Sequence, residues 1–487
     1  MYLSNQEFFR ISSKFLVWPQ FLKLYADDKE DISNYRPISS LHYISKIFER
    51  CVKNRLISFC AKFNIASTQQ FGFLKGKSTG DALIEFSEFI YDAFAKKHCA
   101  NVLIDLKKAF DTVNHLILLK KLELYGIRGI PLNWFRSFLG NRDCFISITN
   151  INSERKLINI GVPQGSILGP ILFLVYINDL PNISNLFHAT LYADDTTISV
   201  SDQNATSLIN NTNFVLEKID NWSIANRLTI NTSKTELILT TNRLDDCTGR
   251  PDVILRGACV DSSSHCKFLG VIVDAKLSFK QHIGHVVIKT ARTGGILYRI
   301  RDSLNARARL NFYNSFILPY FTYNVLIWGS TTKNHLNPLI LQQKRIVRTM
   351  TSASFIEHTG PIFKKLKLLK LIDIHKFEVL KYMFKYRNDA SYAVGHARDT
   401  RNRNLLVPKP RKLTKTQKSI SFVGPQEWNK LPDFLKESKN INVFKKFLKN
   451  HLLSFYWIWS LTLCRVWLQK QKPNLNFKFN RSWGDDF

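Results

Sequence analysis

Two apolar stretches that meet carboxylates constrain this chain more than any other feature. Val102-Leu103-Ile104 is a short bounded run that stops at Asp105, and about 90 residues later HATLYADDTTISV sets Asp194 and Asp195 between apolar flanks. Ile198 and Val200 alternate with polar neighbours, so the second stretch predicts a hairpin with the acidic pair at its bend. Carboxylates held together in apolar surroundings repel one another unless a hard divalent cation neutralises them. Adjacent strands carrying them would make a metal site for in-line phosphoryl or nucleotidyl transfer, with paired ions roughly 4 Å apart. An isolated Asp-Asp pair reads equally well as ordinary turn acids. Tyr25-Ala26-Asp27-Asp28 repeats the tetrapeptide Tyr192-Ala193-Asp194-Asp195 but runs into polar KEDISN, and is read as coincidence.

Around these stretches the pattern mixes helix and strand. Phe48, Val52, Leu56, Phe59 and Phe63 share one helical face, as do Leu83, Phe86, Ile90 and Phe94. GVPQGSILGPILFLVYINDLP has two Gly/Pro turns feeding the apolar segment Ile171 to Ile177, which predicts a loop and then a buried helix. Leu208, Val215, Ile219 and Trp222 predict another helix, and KFLGVIVD (267 to 274) returns to strand character. The sum is an α+β or α/β core over about 100 to 275, followed by a mainly helical region to about residue 395.

Composition narrows the partners. The chain has 487 residues, 45% of them hydrophobic and 13% aromatic, which excludes disorder as its main state. Its 69 Lys and Arg against 38 Asp and Glu leave a net charge of +31, which calls for a polyanion: nucleic acid first, then anionic membrane or acidic protein. From Arg401 onward 18 basic residues face 5 acids. Eight singly scattered cysteines without a CxxC pair fit reduced thiols and an intracellular setting. Cys259, His265, Cys266 and His282 match no zinc knuckle or finger spacing. No signal peptide is read at the N-terminus, and the apolar run Leu452 to Cys464 falls short of the roughly 20 residues that span a bilayer, so no membrane role is expected.

In chain order, NYRPISSL, QFGFLKGKST, VLIDLKKAFDTVNH, GVPQGSILGP, LYADD, NTSKTELI and KFLGVIVD together resemble the reverse transcriptase of LINE-type, non-LTR retrotransposons, Jockey-like elements above all, over roughly residues 15 to 450. The resemblance implies an α+β right-hand polymerase: fingers over 1–100, a palm with an antiparallel sheet over 101–275, a helical thumb-like region over 276–395, and a basic C-terminal region and tail over 396–487. Asp105, Asp194 and Asp195 become the metal-binding triad for two Mg²⁺, with Mn²⁺ as a substitute; Asp105 and Asp194 lead, and Asp195 either ligates or supports. Lys234 is implied as the general acid to the leaving pyrophosphate. Phe110 is implied as a steric gate against a 2′-hydroxyl, and Asp111 is left outside the catalytic set. Pro163, Gln164 and Gly165 pack on nucleotide and template. Arg36, Lys75 and Lys77 hold triphosphate oxygens, Phe268-Leu269-Gly270 form the primer grip, and Lys344, Arg345 and Arg348 meet duplex phosphates.

Departures from the family pattern matter too. FLKGKS stands where relatives read FRKGRS, so Leu74 and Lys77 replace two arginines and the bidentate grip on phosphate is lost. FLKLYADDKEDISNYRPIS reads several residues short ahead of NYRPIS, which predicts a missing or altered finger strand. LPYFTYNVLIWGSTT, QQKRIVR and FVGPQEWNKLP resemble thumb and C-terminal segments, whereas the text after about residue 453 resembles nothing in the family. No endonuclease domain is read, so nicking would fall to a separate protein. The implied partners are an RNA template, a DNA primer and dNTPs, and the implied compartment is the nucleus. Two rivals stand beside this reading: a truncated, inactive copy that only binds nucleic acid, and another right-hand polymerase such as a telomerase-like or intron-encoded enzyme.

Overall fold

A computed structural model describes residues 18–24, 35–39, 41–96, 98–140, 142–148, 151–241, 252–387 and 405–456, and divides the chain into two units, Met1–Leu277 and Ser278–Phe487. The tetrapeptide at Tyr25, the start of the basic C-terminal region and the tail beyond residue 456 lie outside the described residues.

The first unit contains a four-stranded antiparallel sheet in the order β7-β8-β3-β9: β7 (His188–Tyr192), β8 (Asp195–Asp202), β3 (His98–Ile104) and β9 (Glu236–Thr241). β3 is flanked on both sides and almost wholly buried, which is why it reads as a continuous apolar run. Its one buried amide, Asn101, accepts from Ser199 Oγ at 2.8 Å and donates to Thr240 Oγ1 at 3.4 Å. A slip of one residue would break both bonds, so this side chain pins the register of three strands.

A second sheet runs β2-β1-β4-β5: β1 (Trp18–Leu24), β2 (Tyr35–Ser39), β4 (Arg142–Ile148) and β5 (Ile151–Asn152), with β6 (Lys156–Ile158) also on β4. Of the two alternatives ahead of NYRPIS, a missing or an altered strand, the structure has a strand, β1. It is antiparallel to β2 and parallel to β4, so backbone pairing on both sides holds a strand of atypical sequence.

Helices α1 (Tyr43–Lys62), α2 (Thr79–Lys96), α3 (His115–Leu124), α4 (Ile130–Leu139), α5 (Gly169–Ile177) and α6 (Ala205–Ala225) complete this unit, with α2 and α6 packed on β3 and β8. Leu83, Phe86, Ile90 and Phe94 are all buried, as their stripe predicts. The α1 stripe behaves differently: Leu56 is buried, Phe63 is exposed, and Phe48, Val52 and Phe59 line a groove of about 630 Å³ with Trp134 and Phe135 of α4. What α1 sends inward instead is Glu49, 1% exposed. Its Oε2 accepts from Ser166 Oγ at 2.5 Å, from Ile167 N–H at 2.7 Å and from Leu168 N–H at 3.1 Å. Helix α5 is buried along its length, so the N–H groups at its start have no water to bond, and an anion aligned with the helix dipole replaces it.

KFLGVIVD, of strand character in the sequence, forms a hairpin: β12 (His265–Phe268) turns through Leu269 and Gly270, at φ 44° and 79°, into β13 (Val271–Asp274). A smaller hairpin, β10 (Ile254–Leu255) with β11 (Ala258–Cys259), precedes it.

Among its described residues the second unit is helical without strands: α7 (Lys280–Ile300), α8 (Ala306–Phe312), α9 (Leu318–Thr322), α10 (Val325–Trp328), α11 (Lys333–Thr351), α12 (Thr359–Lys365), α13 (Leu371–Tyr386), α14 (Ile420–Asn429), α15 (Asp433–Lys436) and α16 (Ile441–Ser454). α7 packs on α11, where a Cβ on Gly294 would lie 3.0 Å from Ile346 Cγ1. α13 carries α14 and α16, with Phe384 stacked on Phe444 at 4.5 Å and Trp428 at 5.9 Å from Phe444. Among the described residues no helix is long and apolar enough to cross a membrane, and Cys51, Cys60, Cys99, Cys259 and Cys266 are free thiols.

Candidate active site

The register of β3 on β8 brings the two acidic stretches together. Leu103 pairs with Thr197 and Ile104 with Thr196, so the next step outward sets Asp105 abreast of Asp195. Asp195 opens β8 opposite Tyr192, and Ala193-Asp194 make the two-residue turn predicted for the hairpin. Asp105, Asp195, Lys234, Lys267, Phe268 and Leu269 border one cavity of about 250 Å³, to which Glu236 adds a third carboxyl. Asp194, in the turn, is half-buried and does not line this cavity. Asp195 is therefore the acid that stands next to Asp105, where the sequence ranked Asp194 higher.

The charge of this cluster shows in the Asp195 carboxyl, which is pushed up to about 6 by packing, then by the charge of Asp194, then by that of Asp105. Among the described residues no three His, Cys, Asp or Glu side chains converge tightly enough to hold an ion by themselves. The donor set nevertheless suits Mg²⁺, which binds through one or two carboxylates and takes its other oxygens from water and substrate phosphates.

Segment 69–72 holds the acidic turn from outside the sheet. Phe71 N–H donates to Leu191 O at 2.8 Å and Leu191 N–H to Gln69 O at 2.9 Å, in parallel pairing with the end of β7. The buried Gln70 Oε1 accepts from Gly72 N–H at 2.7 Å and from Ala193 N–H at 3.1 Å, and Ala193 has φ +58°. A Cβ on Gly72 would lie 2.4 Å from Ala193 N, so only glycine permits this approach. Neither Gln70 nor Gly72 was singled out in the sequence, although QFGF sits inside a quoted motif.

Asp105 has its own support. Asn231 Nδ2 donates to Asp105 Oδ2 at 2.9 Å, and Asn231 N–H to Asp105 O at 2.8 Å. Lys234 follows in the short 3₁₀ turn Thr232–Lys234, exposed and facing the cavity. Phe268 is buried against Phe86 at 5.1 Å, while Leu269 and Gly270 form the turn at the cavity rim.

The remaining candidates lie outside the lining of this cavity. Phe110 is half-buried, with its ring 4.6 Å from Phe173 and 6.5 Å from Phe73. Gln164 Nε2 donates to both oxygens of Asp111 at 2.9 and 3.0 Å, and its backbone O accepts from Ser39 N–H at 2.8 Å. Asp111 is thus the anchor of Gln164, whose amide donor is already engaged. Gly161 at φ +83° passes so close to Asp111 that a Cβ would lie 2.8 Å from its carbonyl O, and Gly165 has φ +101°. Lys75 is exposed. Lys77 Nζ lies 4.2 Å over the Phe71 ring and 3.4 Å from Thr68 O. Arg36 lies on β2 opposite Lys23. In the second unit Arg348 Nε and an Nη donate to Glu357 O at 3.0 and 2.8 Å, leaving Arg345 as the exposed cation of the three expected at phosphates and Lys344 half-buried.

A family model described as reverse transcriptase (RNA-dependent DNA polymerase) matches residues 27–273. The RNA-directed DNA polymerase from mobile element jockey of Drosophila melanogaster is 29% identical over 368 residues, covering 72% of this chain and 39% of that protein. The probable RNA-directed DNA polymerase from transposon X-element of the same organism is 26% identical over 395 residues, covering 77% and 42%. Among solved structures, telomerase from Candida albicans aligns with 74% of this chain and 66% of its own at 14% identity and a TM-score of 0.40. The chain spans about two fifths of the length of the curated relatives it matches. With its mixed sheet-and-helix first unit and the family match covering the acidic strands, the expected α+β right-hand polymerase class holds, and the chain belongs to the reverse transcriptase (RNA-dependent DNA polymerase) family, with polymerases of jockey-type mobile elements among its relatives.

Proposed function

We propose that this chain is an RNA-directed DNA polymerase that extends a primer 3′-hydroxyl on an RNA template by nucleotidyl transfer from dNTPs. The observation that carries the reading is the pair Asp105 and Asp195, abreast at one end of a family-matched sheet, in a cavity that also admits a lysine. Asp105, Asp194 and Asp195 would hold two Mg²⁺, or Mn²⁺ in their place, which supply Lewis-acid stabilisation to the attacking and leaving oxygens. Lys234 donates a proton to the departing pyrophosphate from the cavity rim. Phe268, Leu269 and Gly270 bring backbone to the primer end, with Lys267 beside them as a cation for its last phosphate. Gln164, held by Asp111, keeps its carbonyl for the incoming nucleotide, and Gly165 lets the backbone approach. Lys75 and Arg36 attract triphosphate; Lys77, parked over Phe71, reaches it only by swinging out.

In this reading 1–100 act as fingers, 101–275 as palm, 276–395 as thumb and 396–487 as a basic C-terminal region. Such an enzyme works in the nucleus. The test is primer extension on poly(rA)·oligo(dT) with dTTP and Mg²⁺, run beside Asp194→Ala. Wild type should extend the primer at least about 10³-fold faster than the variant, the scale of losing a charge-stabilising group at the reaction centre. Equal, negligible incorporation by two proteins that still bind the duplex would favour the inactive, nucleic-acid-binding copy instead.

A further inference from the structure

We propose that Asn231 is a positioning residue that locks the Asp105 carboxylate to the turn carrying Lys234, a role that rests on the polymerase reading above. Asn231 is 9% exposed, and its polar atoms are all engaged. Its N–H donates to Asp105 O at 2.8 Å and its Nδ2 to Asp105 Oδ2 at 2.9 Å. Its Oδ1 accepts from Ser233 Oγ at 2.8 Å, and its backbone O accepts from Thr235 Oγ1 at 2.9 Å and Lys234 N–H at 3.2 Å. One residue therefore bonds to Asp105 and, through its backbone O, to the N–H of Lys234, and both residues border the same cavity. The link continues behind it, where Leu106 bridges Ile230 and Lys107 N–H donates to Thr229 O at 2.8 Å.

The choice of an amide has a physical reason. A carboxylate at the end of a strand can rotate about two side-chain bonds, and a donor fixed on Oδ2 stops that rotation while leaving Oδ1 free to accept. A lysine or arginine there would fix it too, but its charge would compete with a cation for the same oxygens. The amide orients the carboxylate without neutralising it. It also sets the separation between Asp105 and Lys234, because the bonds at its two ends are made by one rigid side chain and one turn.

Asn231→Leu gives the discriminating test. It fills a similar volume without adding charge and removes both the donor to Asp105 Oδ2 and the acceptor for Ser233 Oγ. If Asn231 only braced its turn, Ser233→Ala would do as much as Asn231→Leu, since both lose that bond. If it positions Asp105, Asn231→Leu should be the harsher. Mn²⁺ binding to the full chain, followed by loss of the free-ion electron paramagnetic resonance signal, should weaken about tenfold in Asn231→Leu and in Asn231→Ala, the scale seen when a group that orients a metal ligand is removed. Ser233→Ala, at an exposed position, should weaken it about twofold to threefold. The Mg²⁺ concentration for half-maximal primer extension should rise in the same order, with little change in the KM for dTTP.

Asn231→Leu or Asn231→Ala binding Mn²⁺ as tightly as wild type, with the melting temperature alone lowered, would overturn the proposal. Should the Asn231 variants not fold, an unchanged Mn²⁺ affinity in Ser233→Ala overturns it and a weakened one supports it. Wild type that binds Mn²⁺ through Asp105, as judged against Asp105→Ala, yet extends no primer would sink the polymerase reading and leave the Mn²⁺ ranking to decide the role of Asn231. A wild type with no Mn²⁺ affinity would sink both.

Discussion

Phe110 is wedged between two rings, Phe173 of α5 at 4.6 Å and Phe73 of segment 69–74 at 6.5 Å, so it cannot swing aside without breaking both contacts. A ring held this firmly suits a gate, which must not yield to a 2′-hydroxyl. Phe110→Val should lower the preference for dTTP over UTP about 10-fold to 100-fold in single-nucleotide extension, the range available to one steric contact, with dTTP use nearly kept. Unchanged sugar discrimination would reduce Phe110 to a packing ring. The acids stand out in the sequence because carboxylates are conspicuous beside apolar strands, whereas Lys234 and Phe110 come into view only through the order of the motifs. Asn231 and Gln70 do neither, since an amide beside Thr, Ser or Gly reads as a turn residue until its partner 100 or more residues away is known.

At the scale of elements, α5 illustrates what periodicity can and cannot reveal. Nine residues that are apolar all round predict a buried helix, and the helix is there. Its cap comes from Glu49, 117 residues earlier on α1, where an acid among Lys and Arg passes for surface charge. Arg142, also buried, is pushed down to about 9 by burial and partly held up by the Glu49 charge, so the acid supports two elements at once. Glu49→Gln should cost about 2 to 3 kcal/mol in denaturant unfolding, the worth of a buried charge-assisted bond, with a lower midpoint at similar slope. A loss below about 0.5 kcal/mol would mean that other groups cap α5.

Across the whole molecule, acidification should act on the second unit through two buried imidazoles. His282 is pushed down to about 4 by burial and by His285, and His375 to about 4 by burial, opposed by Glu427. Both are neutral in the folded state and titrate near 6.5 once unfolded. Stability is therefore complete above about pH 6.5 and lost progressively as pH falls toward 4, because the unfolded chain takes up protons first. Denaturant midpoints of the full chain between pH 7 and 4.5 should show this fall, and the double variant His282→Gln, His375→Gln should flatten it. An equally steep fall in the double variant would place the acid sensitivity elsewhere. The chain divides into two units after Leu277, where strand patterning stops and helix alone follows among the described residues. The helical packing beyond it was legible only in kind, since helix pairing depends on contacts such as Gly294 against Ile346 that no local pattern encodes.

The strips that flank the four-stranded sheet have one more consequence, for self-association. β7 and β9 are its outermost strands, and each is met at one end by a non-sheet segment: Gln70 bridges Leu191 beside β7, and Ser262 bridges Leu237 beside β9, where Ser263 N–H also donates to Leu237 O at 2.8 Å. Open outer strands are templates for another chain to add on. Here segment 69–72 and residues 262–263 occupy part of those templates, so the stretch that steadies the acidic turn also shields the sheet from joining a neighbour edge to edge.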